Sequence, residues 1–290
     1  MKNFLYSIRP RQWIKNSFIL LPLIFGKKLF SYPANLDAVI AMVLFSMTSG
    51  AVYLFNDLID VRNDRVHPLK KFRPIASGKL SIANALIAAI ILSFLSIGLA
   101  FVLNRYLGLV MLIYLLFNLI YTKVLKNFVI VDVFCVGGFF LLRIIAGSVA
   151  TGIEMSHWII LMTVLLALFL GFIKRRQELI ILQKKAVLHR KVLSKYSVYF
   201  IDQMIAVLTS SMVVIYMLYT VDTRTINAFG SNHLMYSLPF VYYGIFRYLY
   251  IIHQRFKHGD PTRILFADLK LQLNLALWCI VCILVIYFGI

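Results

Sequence analysis

Nine apolar segments restrict this chain to a membrane fold. A helix that crosses a bilayer needs about 20 mostly apolar residues, within a range of roughly 17 to 25. Pro22 and Gly26 interrupt the first and weakest segment. The predicted spans are residues 17–30, 37–55, 81–103, 106–122, 129–150, 157–173, 198–221, 234–252 and 271–289. Only 14% of the 290 residues are charged, against about 25% in soluble domains. We therefore predict an all-α polytopic membrane protein with one domain over residues 1–290.

The positive charge of the chain follows the expected topology of these spans. There are 30 Lys and Arg residues against 11 Asp and Glu, a net charge of +19. When loops alternate across the membrane, one side carries 24 of these cations and the other side four. Lys and Arg concentrate in cytoplasmic loops, so we predict a cytoplasmic N-terminus and an external C-terminus. Topology explains the asymmetry, and a nucleic-acid partner is not expected.

A carboxylate-rich segment, NDLIDVRNDRVHPLKKFRPIASG, follows the second span at residues 56–78. On a continuous helix, Asp57, Asp60 and Asp64 would share one face, and Asn56 would join Asp60 and Asp64 in an overlapping set. Neighbouring members would lie about 5–6 Å apart at Cβ, and like charges that close repel each other. The spacing therefore predicts that a cation lies among these side chains.

Two interpretations of that cation remain open from the spacing. Arg62 and Arg65 could pair with the acids along a solvated helix face. Alternatively, the acids could hold Mg²⁺, which typically bridges one or two carboxylates to substrate phosphates. Two prolines in the following loop favour an extended, turning path that presents Lys70 and Arg73 near the acids. These two side chains are candidate phosphate ligands, although topology alone also favours cations here.

Two further loops on the same predicted side carry clustered polar groups. The segment KRRQEL follows the sixth span and places Lys174, Arg175 and Glu178 on about one helical turn. The short loop YTKVLKN contributes Tyr121 and Lys126 as candidate substrate-binding residues. Three loops thus direct polar groups towards one membrane face, which predicts an active-site cavity open to the cytoplasm.

Other polar residues have two possible roles each. Arg9, Arg11 and Lys15 flank Trp13, where they could bind the phosphate of a lipid substrate or anchor the chain at the interface. Arg143 lies in the middle of the fifth span, where burial is costly, so it either lines a pocket or connects helices. Three residues are expected to have mainly loop or capping roles: His67, His189 and Asp260.

Taken together, these motifs resemble the UbiA superfamily of intramembrane prenyltransferases. The acidic segment has the N-D-x-x-D-x-x-x-D form of that superfamily. The segments RPRQWIKN, HPLKKFRPIASG, KRRQEL, HRKVLSKYS and GDPTRILFAD narrow the resemblance to its decaprenyl-phosphate phosphoribosyltransferase branch. The resemblance covers nearly the whole chain, and it implies a UbiA-like bundle of nine transmembrane helices.

The resemblance also implies an activity and a set of ligands. The branch transfers 5-phosphoribose from phosphoribosyl diphosphate (PRPP) to a polyprenyl phosphate and releases diphosphate, for cell-envelope polysaccharide precursors. The implied Mg²⁺ ligands are Asp57, Asp60 and Asp64, and the implied phosphate partners are Lys70, Arg73 and Lys126. Glu178 would complete the metal or ribose site, while Lys174 and Arg175 would bind the 5-phosphate or the lipid phosphate.

One departure from the superfamily pattern bears on the substrate. Its prenyltransferases carry a second aspartate-rich motif, whereas this chain has KRRQEL there, with Glu178 as the one acid. Fewer carboxylates and more cations suit a reaction that gathers a diphosphate, a 5-phosphate and a lipid phosphate. The alternative is a prenyltransferase with a prenyl diphosphate and an aromatic acceptor. A non-enzymatic transporter is a third possibility, although polar residues concentrate at one mouth rather than at mid-membrane.

Overall fold

All regular elements in the described part of the chain are helices, as the sequence predicts. The computed structural model describes residues 2–68, 70–182, 195–255 and 267–289. The predictions for His189 and Asp260 lie outside these residues. The chain divides into two compact units, Met1–Met155 and Ser156–Ile290. The expectation of one domain over the whole chain stays a prediction.

The first unit is built around four long helices. Its elements in chain order are α1 (Lys2–Ser7), a 3₁₀ helix (Pro10–Leu20), α2 (Leu21–Phe25), α3 (Ala34–Ile59), α4 (Val61–Val66), a 3₁₀ turn (Lys70–Phe72), α5 (Ile82–Leu103), α6 (Arg105–Lys123), a 3₁₀ turn (Leu125–Asn127) and α7 (Val131–Thr151). Side-chain caps fix two helix starts, because Ser81 accepts from the N–H of Asn84 and Asn104 accepts from that of Tyr106.

Apolar faces of α3, α6 and α7 form the main core of this unit, together with the first 3₁₀ helix. Ile19, Phe45 and Met111 are fully buried there. A Cβ added at Gly147 would lie 2.0 Å from the carbonyl oxygen of Ile19. A glycine at this position therefore lets the 3₁₀ helix pack directly against α7.

A smaller apolar cluster fixes the polar loop between α4 and α5. Ile75 in that loop is 1% exposed and packs with Leu54 of α3 and with Ala85 and Ala89 of α5. Burying a side chain of this size stabilises a fold by about 1.5–3 kcal/mol. The loop that carries Arg73 is thus anchored beside the cytoplasmic end predicted for α3.

Arg143 connects helices inside the core of the first unit. Its Nε donates to Asn16 Oδ1 at 2.8 Å, its Nη1 to the carbonyl oxygen of Phe139 at 2.7 Å, and its Nη2 to the Tyr114 hydroxyl at 3.0 Å. The guanidinium carbon also lies 5.3 Å from the centre of the Phe45 ring. Because neutral groups from four elements satisfy this buried cation, the structure favours its interhelical role.

The second unit contains two pairs of packed helices. Its elements are α8 (His157–Leu182), α9 (Val198–Val221), α10 (Thr223–Phe229), a 3₁₀ helix (His233–Ser237), α11 (Leu238–Tyr250), a π-helical turn (Ile251–Arg255), α12 (Leu269–Ile283) and a second π-helical turn (Leu284–Phe288). The first pair is α8 with α9, and the second is α11 with α12. Asp268 caps α12 and binds Arg247 of α11 at 2.6 Å, which joins the second pair.

Seven of the nine predicted spans coincide with helices that are long and apolar enough to cross a membrane. They are Ala34–Ile59, Ile82–Leu103, Arg105–Lys123, Val131–Thr151, His157–Ile180, Val198–Val221 and Leu269–Phe288. The predicted span 17–30 falls on the end of the 3₁₀ helix and on the short α2. The predicted span 234–252 falls on a 3₁₀ helix, the 13-residue α11 and the start of a π-helical turn. The protein is a multi-span membrane protein, and the count of nine stays a prediction.

Candidate active site

Two buried aspartates in the first unit bind the same arginine. Asp57 and Asp64 are each 2% exposed. Nη1 of Arg73 lies 3.0 Å from Asp57 Oδ1 and 2.6 Å from Asp64 Oδ2. Helices α3 and α4 are separated only by Asp60, so the predicted helical continuation is present with one break. Both carboxylates therefore bind the same guanidinium nitrogen of Arg73.

Arg9 is the second cation on Asp57, a contact not predicted when Arg9 was considered for lipid-phosphate binding or interfacial anchoring. Its Nη2 lies 2.5 Å from Asp57 Oδ1, and its guanidinium carbon lies 4.9 Å from the centre of the Tyr53 ring. Of the two other candidates in this segment, Arg11 is exposed and Lys15 is half-buried. Arg9 precedes a proline and has a left-handed backbone, with φ of 53°. That unusual backbone bend, which spacing does not reveal, accompanies its contact with the acid.

The loop after α6 supplies the partner of the third aspartate. Lys126 Nζ lies 2.7 Å from Asp60 Oδ1. Thr122 donates to Asn56 Oδ1 at 2.5 Å, which connects the end of α6 to the end of α3. The structure therefore brings this loop to the acidic segment. Tyr121 packs its ring against the aromatic part of the core.

The three acids and their three cations form a charge-balanced cluster. Its members are Asp57, Asp60, Asp64, Arg9, Arg73 and Lys126, and we call this set the carboxylate cluster. Arg73 comes from the loop that follows the acids, as predicted, whereas Arg9 and Lys126 lie 48 and 66 residues from the acids that they bind. Arg62 and Arg65 are exposed on α4, so the local pairing considered from the sequence is not the arrangement found.

The loop after α4 is folded by its own contacts. The imidazole Nδ1 of His67 accepts from the backbone N–H of Lys70 at 3.2 Å, which gives His67 the loop role expected of it. The Lys70 side chain is half-buried in the 3₁₀ turn that follows. Both residues lie in the loop that Ile75 anchors, a few positions before Arg73.

The carboxylate cluster has the donor chemistry for Mg²⁺. Mg²⁺ prefers oxygen ligands and is usually held by one or two carboxylates, with substrate phosphates and water completing its shell. Asp57 and Asp64 point two carboxylate oxygens at one position, where Arg73 Nη1 now supplies the positive charge. Among the described residues, no three His, Cys, Asp or Glu side chains are close enough to form a complete metal site. The cluster therefore fits a metal that shares its coordination with a phosphorylated substrate.

The KRRQEL segment of the second unit lies on α8 and contains two ion pairs. Arg175 Nη1 lies 2.6 Å from Glu178 Oε2, and Lys174 is exposed. Arg176 Nε lies 2.6 Å from Asp202 Oδ1 on α9, a contact that sequence analysis did not anticipate. The predicted grouping of Lys174, Arg175 and Glu178 on one turn is confirmed. Spacing within α8 had no means of revealing the partner on α9.

A multi-span helical fold with a cluster of carboxylates and cations at the end of a span is the arrangement expected of a membrane-embedded enzyme. The family model described as the UbiA prenyltransferase family matches residues 19–274. The chain belongs to this family, and the resemblance noted from its motifs is confirmed.

Curated relatives match nearly the whole chain. A protein of Mycobacterium tuberculosis named decaprenyl-phosphate phosphoribosyltransferase is 34% identical over 276 residues, which cover 94% of this chain and 90% of that protein. A protein of the same name from Corynebacterium glutamicum is 32% identical over 286 residues, covering 97% and 86%. A shorter stretch of 89 residues is 32% identical to a digeranylgeranylglyceryl phosphate synthase of Sulfurisphaera tokodaii.

Solved structures agree with the family assignment at the level of the fold. A UbiA homologue from Archaeoglobus fulgidus bound to DMAPP and Mg²⁺ matches with a TM-score of 0.72, 21% identity, and coverage of 98% of this chain and 99% of that one. The same homologue bound to GPP and Mg²⁺ matches with a TM-score of 0.70.

Proposed function

We propose that this chain transfers the 5-phosphoribosyl group of PRPP to a phosphate oxygen of a polyprenyl phosphate, with Mg²⁺ as the metal and diphosphate as the second product. The carboxylate cluster carries this proposal, because it offers metal ligands and phosphate ligands in equal number. Relatives that match nearly the whole chain and are named decaprenyl-phosphate phosphoribosyltransferase support the choice of donor and acceptor. The cationic KRRQEL segment supports it further, because the reaction gathers three phosphate-bearing groups.

The ion pairs of the carboxylate cluster can exchange partners when the donor binds. In the structure, Arg73 forms ion pairs with Asp57 and Asp64, and Lys126 forms an ion pair with Asp60. A diphosphate attracts these cations, since charge-assisted hydrogen bonds to phosphate are strong and geometrically specific. The released carboxylates would be the residues that hold Mg²⁺, which would supply positive charge beside the diphosphate. Each charge keeps an opposite partner throughout, so binding does not leave a buried carboxylate uncompensated.

The transfer itself requires orientation and charge stabilisation rather than a strong base. The bond between C1 of the ribose and the diphosphate oxygen breaks, and a bond between C1 and a lipid phosphate oxygen forms on the opposite face. Inversion at C1 follows from that geometry. The bound metal would supply positive charge to the leaving diphosphate. Arg9 keeps Asp57 in place, and Arg73, moved to the diphosphate, stabilises the negative charge that develops there.

The remaining candidate residues are assigned to further contacts with the substrates and the metal. Lys70 is assigned to the diphosphate beside Arg73, while Asn56 and Tyr121 are assigned to substrate contacts at the ends of α3 and α6. Lys174 and Arg175 are assigned to the 5-phosphate or the lipid phosphate, with Glu178 at the metal or the ribose. Arg11 and Lys15 are assigned to the headgroup of the arriving lipid phosphate.

The orientation in the membrane follows from the charge of the loops. We assign the carboxylate cluster and the N-terminus to the cytoplasmic face of the cell membrane, and the C-terminus to the opposite face. A cytoplasmic site has access to PRPP, a soluble donor, and to the headgroups of the inner leaflet. The product would serve as a lipid-linked pentose for cell-envelope polysaccharide.

A transfer assay tests the proposal directly. Membranes containing the protein are incubated with radiolabelled PRPP, Mg²⁺ and polyprenyl phosphate, and label is measured in the organic phase. We expect lipid-soluble label that requires the acceptor and disappears with a chelator. Asp57→Asn should abolish it, whereas Asp37→Asn, at the other end of α3, should not. Absence of labelled lipid with the wild-type protein would show that the proposal is wrong.

A parallel reaction in the same assay tests the alternative that the chain is a prenyltransferase. That alternative has its own support, because the solved relatives from Archaeoglobus fulgidus bind DMAPP and GPP. A parallel reaction therefore contains a labelled prenyl diphosphate and an aromatic acceptor. Prenylated product without any phosphoribosylated lipid would favour the alternative over PRPP transfer.

A further inference from the structure

A buried glutamine in the second unit has a side chain without hydrogen-bond partners among the described residues. Gln177 lies on α8 and is 4% exposed. Neither its Nε2 nor its Oε1 has a partner within the part of the chain that the structure describes. Nearly all buried polar groups in proteins are paired, so an orphaned amide requires an explanation. Its sequence neighbours are paired, with Arg175 on Glu178 and Arg176 on Asp202.

The position of this amide suggests a role in binding. Gln177 and the exposed Lys174 are three residues apart, and Glu178 is four residues from Lys174, so the three lie on neighbouring positions of one helix face. Lys174 offers a cation for a phosphate. The Gln177 amide offers N–H donors and a carbonyl acceptor that are not hydrogen-bonded to any described residue.

The chemistry of a carboxamide selects the kind of group that it can bind. A phosphate oxygen only accepts hydrogen bonds, so it would satisfy Nε2 and leave Oε1 unpaired. A hydroxyl both donates and accepts, and two neighbouring hydroxyls can pair with both atoms of one amide. The unpaired atoms of Gln177 therefore match a sugar diol better than a phosphate.

We propose that Gln177 binds the ribose hydroxyls of the phosphoribosyl donor and so determines specificity for the sugar. This inference rests on the proposed function and assigns a further residue to it. In the donor, the diol is carried by the same ring as the 5-phosphate, which is the group assigned to Lys174 or Arg175. One helix face then recognises the two chemical features that distinguish this donor from a prenyl diphosphate.

Contacts around Gln177 hold α8 in a fixed orientation. Arg176 donates through Nε to Asp202 at 2.6 Å and through Nη1 to the carbonyl oxygen of Ile252 at 3.3 Å. His253 Nε2 lies 3.5 Å from the same Asp202 carboxylate. These contacts connect α8 to α9 and to the π-helical turn. The amide is therefore presented by a rigid helix, which lowers the entropic cost of binding.

The test compares Gln177→Met with the wild-type protein on PRPP and on its 2-deoxy and 3-deoxy analogues. Met has a similar length and needs no hydrogen bonds, so the Tm of the ligand-free variant should be unchanged or higher. We expect KM for PRPP to rise about 10- to 100-fold, the loss expected for one or two hydrogen bonds to substrate. The preference of the wild-type protein for PRPP over at least one deoxy analogue should fall to near unity.

Three outcomes separate this inference from the proposed function. Wild-type protein that transfers no phosphoribose from PRPP would end both. Active wild-type protein, with Gln177→Met retaining the same preference among the three donors, would overturn only the role of Gln177. A lower Tm with equal losses on all three donors would show a structural role instead. Gln203→Met, an exposed glutamine on α9, is the matched control and should behave as wild type.

Discussion

Arg73→Met should destabilise the ligand-free protein and should create a response to Mg²⁺ that the wild-type protein lacks. The substitution keeps an unbranched side chain but removes the charge that Asp57 and Asp64 share. Asp57 retains Arg9 as a partner, whereas Asp64 loses its cation. Two buried carboxylates then face the same vacated position, which is a suitable arrangement for a divalent ion.

The size of the effect follows from the burial of the pair. Removing one partner of a fully buried ion pair costs about 3–5 kcal/mol. The Arg73 side chain is 25% exposed, which admits water and reduces the cost to about 2–4 kcal/mol. For a chain of this size, the Tm should fall by roughly 3–7 °C. Mg²⁺ at ten times its Kd restores about 1.4 kcal/mol.

Thermal unfolding of the purified protein, in detergent with and without Mg²⁺, measures both effects. Arg65→Met is the control, because it removes the same charge from the exposed surface of α4. Only the Tm of Arg73→Met should rise, by about 2 °C, when Mg²⁺ is added without donor. Equal Mg²⁺ responses in the wild type and both variants would refute the claim that Asp57 and Asp64 converge on one cation position.

Three other changes have expected outcomes. Lys126→Met should raise the KM for PRPP about tenfold, because it loses one charge-assisted contact. The Tm should change little, because the ion pair of Lys126 with Asp60 is partly exposed. Unchanged initial rates across PRPP concentrations would contradict the expected rise in KM. Arg143→Met should lower the free energy of unfolding by about 3 kcal/mol through unpaired buried acceptors, and a Tm equal to wild type would contradict it. Gly147→Ala should sharply reduce folded protein in fluorescence-detected gel filtration, since its Cβ would meet the Ile19 carbonyl oxygen at 2.0 Å; a normal elution peak would oppose that packing.

The amino-acid sequence alone determined the fold class and supplied the candidate residues of the site. Apolar runs of membrane-spanning length can be read locally, because each helix satisfies its own backbone hydrogen bonds. Seven of the nine predicted spans were confirmed on that basis. The motifs also identified the family correctly, and they placed candidate residues on the acidic segment and on α8.

Only the tertiary structure decided which side chains meet. Local spacing offered Arg62 and Arg65 as partners of the acids, but the chain supplies Arg9 and Lys126 instead, from 48 and 66 residues away. The sequence also did not reveal that the Gln177 amide has no hydrogen-bond partner among the described residues, because hydrogen bonding at this position depends on what surrounds α8. Periodicity describes neighbours along one helix, whereas ion pairs and burial depend on the contacts that distant segments make when they pack.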